Sequence, residues 1–328
     1  MFKAEGVYAV FRTTVEMLKA GGEVEVRVNS LAPCDIMHAH FAGPIYFALK
    51  PFYRGRRILS AHVVPESFKQ NFMLWKQLEP VWNRFVVSSF NSADLVIAVS
   101  PAVKRNLETK GVRTAQRFIP NPIDRGLYRR DPELRARGRA LLGMPADRPL
   151  VLGVGLTVLR KGVDEFVEVA RRNPDISFAW VGGSSFSILT DGYFTIHELI
   201  SSAPPNVRFP GFFPRERMPE LYNAADLFFL PTRQDNFPMV IVEAAACGLP
   251  IVLRDLPDFR EIFEPAYLPA DGVEEFSRAI GRVLSDPALA RSLSDRSLAL
   301  AARYDTPAVA AQLVQCYREL YDGAFAVR

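Results

Sequence analysis

Short apolar runs alternate with longer stretches of helical periodicity along the chain. In the first half, residues 35–38, 57–60 and 95–99 predict buried strands, and residues 117–122 predict a strand that leaves the domain. Ser100 and the proline after it predict the start of a helix, because serine caps the first turn and proline fits it. This alternation is typical of parallel α/β units.

A second series of the same kind follows a polar, arginine-rich connector at residues 125–148, within which a helix is predicted. The strands of this series are predicted at residues 150–154, 177–181, 207–210, 227–230 and 250–253, and its helices at 163–172, 218–223 and 238–247. Two series of similar size predict an α/β protein with two facing Rossmann-like domains and a cleft between them, over residues 1–128 and 129–305. The closing helix, within residues 306–328, is expected to pack back on the first domain.

The bulk composition limits the class of protein. The 328 residues are 49% hydrophobic and 23% charged, which is typical of a globular chain with two ordinary domains. No run of about 18 apolar residues predicts a membrane span, and the early charges of Lys3 and Glu5 argue against a signal peptide, so the predicted compartment is the cytoplasm. Three cysteines without paired spacing support neither a disulfide framework nor a zinc site.

The beginning of the chain is unusual for this fold class. A helix is predicted near residues 7–19 with no strand before it, whereas a doubly wound domain normally opens with a strand and a glycine-rich turn. The pattern therefore indicates that the chain begins one strand late.

Charge is distributed unevenly between the two halves. Residues 1–130 contain 19 lysines and arginines against 10 acidic residues, a net charge of +9, and the remainder has a net charge of −5. A basic half favours an anionic partner, either nucleic acid or anionic lipid, and a solvated surface without a partner is the alternative. No nucleic-acid-binding motif accompanies these basic residues, so nucleic acid is not a predicted partner.

The most informative segment, residues 231–250, follows a predicted strand and opens a helix at Pro238. Asp235 lies in the loop, and Glu243 comes eight residues later, about two turns into the helix. The free N–H groups and the dipole at a helix N-terminus are suited to binding a diphosphate. An ordinary amphipathic helix that carries two acids is the alternative interpretation.

This segment resembles the acid-x7-acid motif of the retaining glycosyltransferases of family 4, which have the two-domain GT-B fold. The resemblance implies that Glu243 binds the ribose hydroxyls of a nucleotide-sugar donor. It also implies that Asp235 lies beside the donor sugar as a catalytic residue, where the family usually has glutamate. Four further residues of the motif are assigned to donor binding: Asn236, Phe237, Pro238 and Met239.

A second signal is the glycine-rich turn after the predicted strand at residues 150–154. Gly155 and Lys161, which lies six residues beyond it, resemble the diphosphate clamp of the family. The resemblance implies that glycine lets backbone amides approach the phosphates and that Lys161 neutralises the leaving UDP. The family arginine is replaced by Leu156, and Arg160 is the candidate substitute. Solvent-facing charges at a helix start are the alternative for both cations, and the resemblance implies neither a metal nor another cofactor.

The acceptor side is assigned to the basic half. His40 and His62 follow predicted strands, at the carboxyl ends where α/β folds bind ligands. The resemblance places His62 beside the donor sugar and the reaction centre, whereas His38 is interpreted as structural and His197 as a surface residue. Gly6 resembles the glycine turn that approaches the donor phosphates from the first domain.

Aromatic and basic residues together indicate an acceptor side that faces a membrane. Arg56 lies in a turn that joins two aromatics to three arginines. Trp75 lies among further aromatics and cations in residues 68–90, where Pro80 predicts a break into two short helices. Large rings and cations suit an anionic membrane interface, and core packing of the same rings is the alternative.

A finer resemblance concerns four short segments at residues 182–186, 190–193, 237–239 and 253–256. They are similar to segments of bacterial glycosyltransferases that add hexose to diacylglycerol or glucosyl-diacylglycerol. The predicted activity is therefore transfer of glucose or galactose from a UDP-sugar to a glycerolipid, by an enzyme peripheral to the inner face of the cell membrane. Three alternatives stay open: a soluble or polyprenyl-linked saccharide as acceptor, a UDP-sugar 2-epimerase-like isomerase, and an inactive binding partner.

Overall fold

The computed structural model describes residues 5–41, 43–62, 75–183 and 193–323, and its contacts divide the chain into two compact units. Among these residues, unit 1 comprises 5–62, 75–122 and 304–323, and unit 2 comprises 123–303. Each unit contains a parallel sheet with helices in its crossovers. The predicted α/β class with two Rossmann-like halves is confirmed. The contacts place the change of unit after Pro122, whereas the sequence pattern places it after residue 128.

Unit 1 contains, within the described residues, a four-stranded parallel sheet in the order β1-β2-β3-β4. Its elements in chain order are α1 (Glu5–Gly21), β1 (Ile36–Ala39), α2 (Pro44–Leu49), β2 (Arg56–Ala61), α3 (Trp75–Asn91), β3 (Leu95–Ala98), α4 (Pro101–Thr109), β4 (Gln116–Phe118) and α13 (Thr306–Tyr321). The strand β3 is buried along its whole length, which explains its continuous apolar sequence. Ser100 caps α4 as predicted, because its side chain accepts a hydrogen bond from the N–H of Val103.

The last helix, α13, is part of the core of unit 1. Val309 and Leu313 of α13 lie in one buried cluster with Met17 of α1, Ile58 of β2 and Ile97 of β3. Burial of each large apolar side chain contributes roughly 1.5–3 kcal/mol. Helix α13 therefore stabilises unit 1.

The prediction of two short helices around Pro80 is wrong. The helix α3 runs without interruption from Trp75 to Asn91 and contains Pro80. Proline removes one helical hydrogen bond, to the carbonyl four residues before it. Pro80 is exposed and lies near the start of the helix, where water can satisfy that carbonyl.

Unit 2 contains, within the described residues, a six-stranded parallel sheet in the order β10-β9-β8-β5-β6-β7. Its strands are β5 (Leu150–Val154), β6 (Ser177–Val181), β7 (Val207–Gly211), β8 (Leu227–Leu230), β9 (Ile251–Arg254) and β10 (Leu268–Ala270). Its helices are α5 (Leu134–Leu142), α6 (Val163–Arg172), α7 (Tyr193–Ser201), α8 (Met218–Ala224), α9 (Met239–Ala246), α10 (Pro257–Phe263), α11 (Gly272–Ser285) and α12 (Pro287–Arg303). This is the strand order of dinucleotide-binding folds, with the direction of winding reversed between β5 and β8.

Aromatic rings fill the core of unit 2. Phe166 of α6 packs edge-on against Trp180 of β6 at 5.1 Å between centroids and stacks on Phe229 of β8 at 5.6 Å. Such pairs add about 0.5–1.5 kcal/mol each to the burial of their surface. A side chain at Gly153 would place its Cβ 2.7 Å from the Trp180 ring and 2.8 Å from the Phe166 ring, so this packing requires glycine in the middle of the sheet.

Candidate functional site

The loops after β5 and β8 lie side by side where the winding of unit 2 reverses. The two strands are neighbours in the sheet, and their chains continue into α6 and α9 respectively. In open parallel sheets, ligands bind outside the carboxyl ends of the strands at such a switch point. The two predicted donor motifs therefore fall at the position where this fold binds ligands.

Lys161 and Asp235 form an ion pair across the switch point. The Lys161 side chain is 12% exposed and the Asp235 side chain 16%, so both charges are largely shielded from water. Shielded charges interact more strongly than surface charges because the local dielectric constant is lower. Two residues from separate sequence motifs are thus brought together in one place.

Hydrogen bonds hold the two loops as a single structure. The backbone N–H of Arg233 donates to the carbonyl of Arg160 at 2.9 Å, and Thr232 Oγ1 donates to the same carbonyl at 3.2 Å. In the other direction, Arg160 Nη1 donates to the carbonyl of Gln234 at 2.9 Å. Lys161 and Asp235 are therefore positioned by the backbone around them as well as by their mutual attraction.

Gly162 makes the close approach of these loops possible. Its φ of +76° is a left-handed conformation that other residues rarely adopt. A Cβ at this position would lie 2.3 Å from the carbonyl oxygen of Pro231. Glycine is required here for both reasons.

Arg160 and Gly155 both make contacts within unit 2, and the donor-binding roles inferred for them by resemblance stay predictions. The Arg160 guanidinium is engaged with the neighbouring loop through Nη1, while its Nε has no hydrogen-bond partner among the described residues. The N–H of Gly155 donates to the carbonyl of Val181 at 2.9 Å, so this amide is occupied and not free for a phosphate. Because parallel strands bond to their neighbours up to their ends, the first amide after β5 is used by the sheet.

Glu243 lies on the second turn of α9 and is held by a buried tyrosine. Its Oε2 accepts a hydrogen bond from the Tyr222 hydroxyl at 2.6 Å, and Tyr128 packs on the Tyr222 ring at 6.0 Å between centroids. Burial raises the pKa of Glu243, while the hydrogen bond from Tyr222 and the charge of Arg215 lower it in part. Sequence reasoning missed both tyrosines, because a tyrosine in an apolar stretch is usually read as core.

The residues between the two acids form the start of α9. Pro238 is the N-cap and Met239 the first helical residue, so the helix begins one residue later than predicted, because Pro238 has extended backbone angles. Phe237 is buried against Phe263, and Asn236 donates its backbone N–H to Asp235 Oδ1 at 2.9 Å. Phe237 and Pro238 are thus buried, whereas the side chains of Asn236 and Met239 stay partly exposed.

An exposed aromatic ring at the same edge of the sheet was also missed. Phe212 follows the end of β7 and its side chain is exposed. A Cβ on Gly183, which follows β6, would lie 2.8 Å from the Phe212 ring, so the absence of a side chain at Gly183 leaves room for this ring. Residues 184–192, which hold part of the finer resemblance, lie outside the described residues.

Three histidines stack on one another in unit 1: His38 lies in β1, His40 follows β1 and His62 follows β2. The rings of His38 and His40 are 4.5 Å apart between centroids, and those of His40 and His62 are 5.2 Å apart. His40 Nδ1 and His62 Nε2 share a hydrogen bond of 3.0 Å. His38 is bonded to Tyr317 at 2.7 Å and to Ser60 at 2.8 Å, which agrees with its predicted structural role.

The stacked histidines are neutral at neutral pH. Burial lowers the pKa of His40 to about 4. Burial, together with the proximity of His40, lowers the pKa of His62 to about 3. Burial also lowers the pKa of His38. Their imidazoles therefore act as hydrogen-bonding groups and not as cations.

Acidification should weaken the folded state through these histidines. The unfolded chain binds their protons below the ordinary pKa of 6.5, whereas the folded chain resists protonation until about 4 for His40 and about 3 for His62. Stability is therefore complete above pH 6.5 and falls as the pH is lowered through that window. We expect the melting temperature measured by circular dichroism to fall below pH 6.5, and to fall less steeply in His40→Gln. Parallel profiles of the two proteins would contradict this assignment.

Four further residues named from the sequence lie on α1, β2, α3 and α7. Gly6 lies in the first turn of α1, so the expected glycine turn is wrong, because the helix already includes this residue. Arg56 is the first residue of β2, partly exposed, and its N–H donates to the carbonyl of Asp35 at 2.8 Å. Trp75 is the first residue of α3, and its side chain lies outside the described residues. His197 is exposed on α7, as predicted.

The chain matches two known families and several known proteins. Residues 136–298 match the family described as glycosyl transferases group 1, and residues 16–127 match Glycosyltransferase Family 4. Alpha-galactosylglucosyldiacylglycerol synthase of Streptococcus pneumoniae is 32% identical over 97% of this chain and 86% of its own length. The processive diacylglycerol alpha-glucosyltransferase of Acholeplasma laidlawii is 27% identical over 87% of this chain and 86% of its own length. The chain belongs to the family 4 glycosyltransferases.

Solved structures share the fold of the chain. Sucrose-phosphate synthase from Thermosynechococcus elongatus superposes with a TM-score of 0.75 at 24% identity, over 88% of this chain and 74% of its own. Anabaena HepE in complex with UDP-glucose superposes with a TM-score of 0.73 at 22% identity, over 93% of this chain and 82% of its own. The predicted GT-B class is confirmed.

Proposed function

We propose that this glycosyltransferase moves glucose or galactose from a UDP-sugar to a membrane glycerolipid or to glucosyl-diacylglycerol, with retention at the anomeric carbon. The observation that carries the proposal is the ion pair of Lys161 and Asp235 at the switch point of unit 2, next to the start of α9. A cation and the N-terminus of a helix at one edge of a sheet are suited to a diphosphate. Glu243, on the second turn of the same helix, supplies an acceptor for the ribose hydroxyls.

Lys161 is assigned to the leaving group. As the bond between the anomeric carbon and the diphosphate oxygen breaks, negative charge grows on that oxygen. A shielded ammonium stabilises this charge more in the transition state than in the bound donor, which lowers the barrier. Asp235 holds the ammonium at the switch point, and the dipole of α9 adds a fixed positive potential.

The remaining steps need no protein nucleophile. The acceptor hydroxyl attacks the anomeric carbon on the face from which UDP departs, forming the new carbon–oxygen bond. The proton of that hydroxyl passes to an oxygen of the leaving phosphate, so charge and protons balance. The protein contributes orientation and electrostatic stabilisation. The exposed ring of Phe212, at the same edge, is suited to stacking on the uracil base.

The acceptor is assigned from the relatives and from the surface of unit 1. Both relatives named above carry diacylglycerol glycolipid synthesis in their names, and their similarity extends over most of this chain, unit 1 included. Phe52 is exposed in a short turn beside the exposed Arg54. An exposed ring next to arginine is suited to an anionic bilayer surface, and no helix within the described ranges is long and apolar enough to cross a bilayer.

Turnover of radiolabelled donors tests the proposed reaction. We expect label from UDP-glucose or UDP-galactose to enter a glycolipid with a new α linkage when micelles contain diacylglycerol or glucosyl-diacylglycerol. EDTA should leave this activity intact, since Lys161 and α9 are assigned the charge that a metal would otherwise neutralise. Label found only in a soluble or polyprenyl-linked saccharide would show that this saccharide, and not a glycerolipid, is the acceptor. An epimerised UDP-sugar formed without acceptor would instead identify an isomerase. No turnover at all would contradict the proposal that the protein is an enzyme.

The membrane surface can be tested separately with vesicles. We expect Phe52→Ser to weaken binding to vesicles that contain anionic lipid by about tenfold, because the ring loses its place among acyl chains. Phe52 is 72% exposed, and Phe194 of unit 2, which is 76% exposed, provides the matched control. Phe194→Ser should bind as the unaltered protein does. Equal binding of both variants in a sedimentation assay would contradict the role of Phe52.

A further inference from the structure

The carboxylate of Glu243 is held by a buried shell that the activity proposed above does not explain. Tyr222 of α8 and Tyr128 of the connector before α5 are both fully buried. Their rings meet edge to face at 6.0 Å between centroids, with an angle of 69° between planes. The Tyr222 hydroxyl donates to Glu243 Oε2 at 2.6 Å.

The Tyr222 hydroxyl is fixed as a donor to Glu243. Burial and the nearby charge of Glu243 raise the pKa of Tyr222, and burial with the same charge raises that of Tyr128. Tyr222 therefore stays protonated, and the Glu243 carboxylate is the acceptor in their contact. The Tyr222 ring is packed on that of Tyr128 and cannot turn away without leaving a void, so the direction of this donor is set by the core.

A carboxylate bound in this way differs from one that extends into solvent. Hydrogen bonds to its charged form favour ionisation, against the burial that favours the neutral acid. An ionised carboxylate is acceptor-only and can take both hydroxyls of a vicinal diol, whereas the neutral acid has one oxygen occupied by its own proton. Its orientation is also limited to the one that meets the Tyr222 hydroxyl.

We propose that Tyr222, supported by the packing of Tyr128, is a positioning residue that presents Glu243 as an oriented acceptor for the ribose diol of the nucleotide donor. This inference rests on the proposed function, because it presumes that Glu243 receives the ribose. Tyr222 does not touch the donor and acts through Glu243. Its removal lowers the affinity for nucleotides that carry the diol and leaves the chemical step unchanged.

Calorimetric titration with two ligands tests this role in the intact protein. UDP carries the diol, and 2′,3′-dideoxyuridine diphosphate lacks it. We expect Tyr222→Phe to weaken UDP binding by about tenfold, which corresponds to the loss of one hydrogen bond to a charged group. The dideoxy ligand should bind Tyr222→Phe as it binds the unaltered protein, which also shows that the site is still folded. In turnover assays, the KM for the UDP-sugar should rise with kcat unchanged.

A tyrosine outside the candidate site, Tyr46, serves as the matched control. Tyr46 of unit 1 is buried and its hydroxyl is bonded to Ser92 at 3.1 Å, so Tyr46→Phe removes a comparable group far along the chain from Glu243. It should leave both affinities unchanged. Equal UDP affinity in Tyr222→Phe and the unaltered protein, or an equal loss for both ligands, would overturn the inference while the proposed function stands. Failure of the unaltered protein to bind UDP at all would overturn the proposed function itself and the inference with it.

Discussion

Replacing Lys161 with alanine should lower kcat by about one hundred- to one thousand-fold, the usual cost of removing one preorganised group that faces developing negative charge. The Lys161 ammonium is largely shielded and lies at the carboxyl edge of β5, where a diphosphate would gain charge as the sugar leaves. The KM for the donor should change much less than kcat, because the ground state needs this charge less than the transition state does. Steady-state kinetics with a UDP-sugar and a lipid acceptor measure both quantities.

Two controls separate this effect from simple loss of an ion pair. Lys104 of α4 is exposed and pairs with Glu108 at 3.8 Å, so Lys104→Ala removes a lysine of the ordinary surface kind and should leave kcat unchanged. In Lys161→Ala, Asp235 is left without its partner. If that unpaired acid were the cause of the loss, adding Asp235→Asn would restore activity. We expect the double variant to stay at least as slow as Lys161→Ala, and recovery would contradict the assignment.

The second large effect is expected from Gly162→Ala. The new Cβ would lie 2.3 Å from the Pro231 carbonyl, so the loops that carry Lys161 and Asp235 must move apart. We expect the free energy of unfolding in urea to fall by about 3 kcal/mol, which is in the range of severe backbone and packing defects. Hexose transfer should fall as well, because the ion pair depends on the same contact.

Gly143 offers a control for the cost of backbone conformation alone. Its φ of +63° is similar to that of Gly162, but no atom lies within 4 Å of a Cβ built on it. Gly143→Ala should therefore lose only about 1–2 kcal/mol, the cost of a left-handed residue with a side chain. If the two variants lost the same free energy, the close approach at Pro231 would have no part in holding the site.

The strands and helices around the donor motifs could be predicted because their patterns are local. Helix α6 at Val163–Arg172 and strand β6 at Ser177–Val181 have the predicted bounds, since apolar periodicity and flanking glycine or proline determine such elements. Around Pro80 the same reasoning fails, because the packing and solvation of α3 outweigh the local effect of proline. The glycine turn at Gly6 fails for a similar reason, since a helix already includes that residue.

The candidate site was only partly accessible from the sequence. Lys161 and Asp235 belong to separate motifs, and their pairing depends on the adjacency of β5 and β8, which a linear pattern does not contain. The hydrogen bond from Tyr222 to Glu243 joins residues on two helices, and nothing in the apolar context of Tyr222 distinguishes it from a core residue. The contact between His40 and His62 likewise depends on the register of β1 and β2.

Hydrogen–deuterium exchange with and without UDP tests the central claim most directly, because it locates the nucleotide on the chain. The loop at residues 155–162 and the start of α9 each lie where a strand gives way to a helix, and backbone hydrogen bonds open more easily there than in the middle of an element, so a bound diphosphate should slow amide exchange in both. We expect protection by UDP in these two segments and none in α12 at Pro287–Arg303. Protection that avoids both segments, or no protection at saturating UDP, would contradict a nucleotide site at the edge formed by β5 and β8.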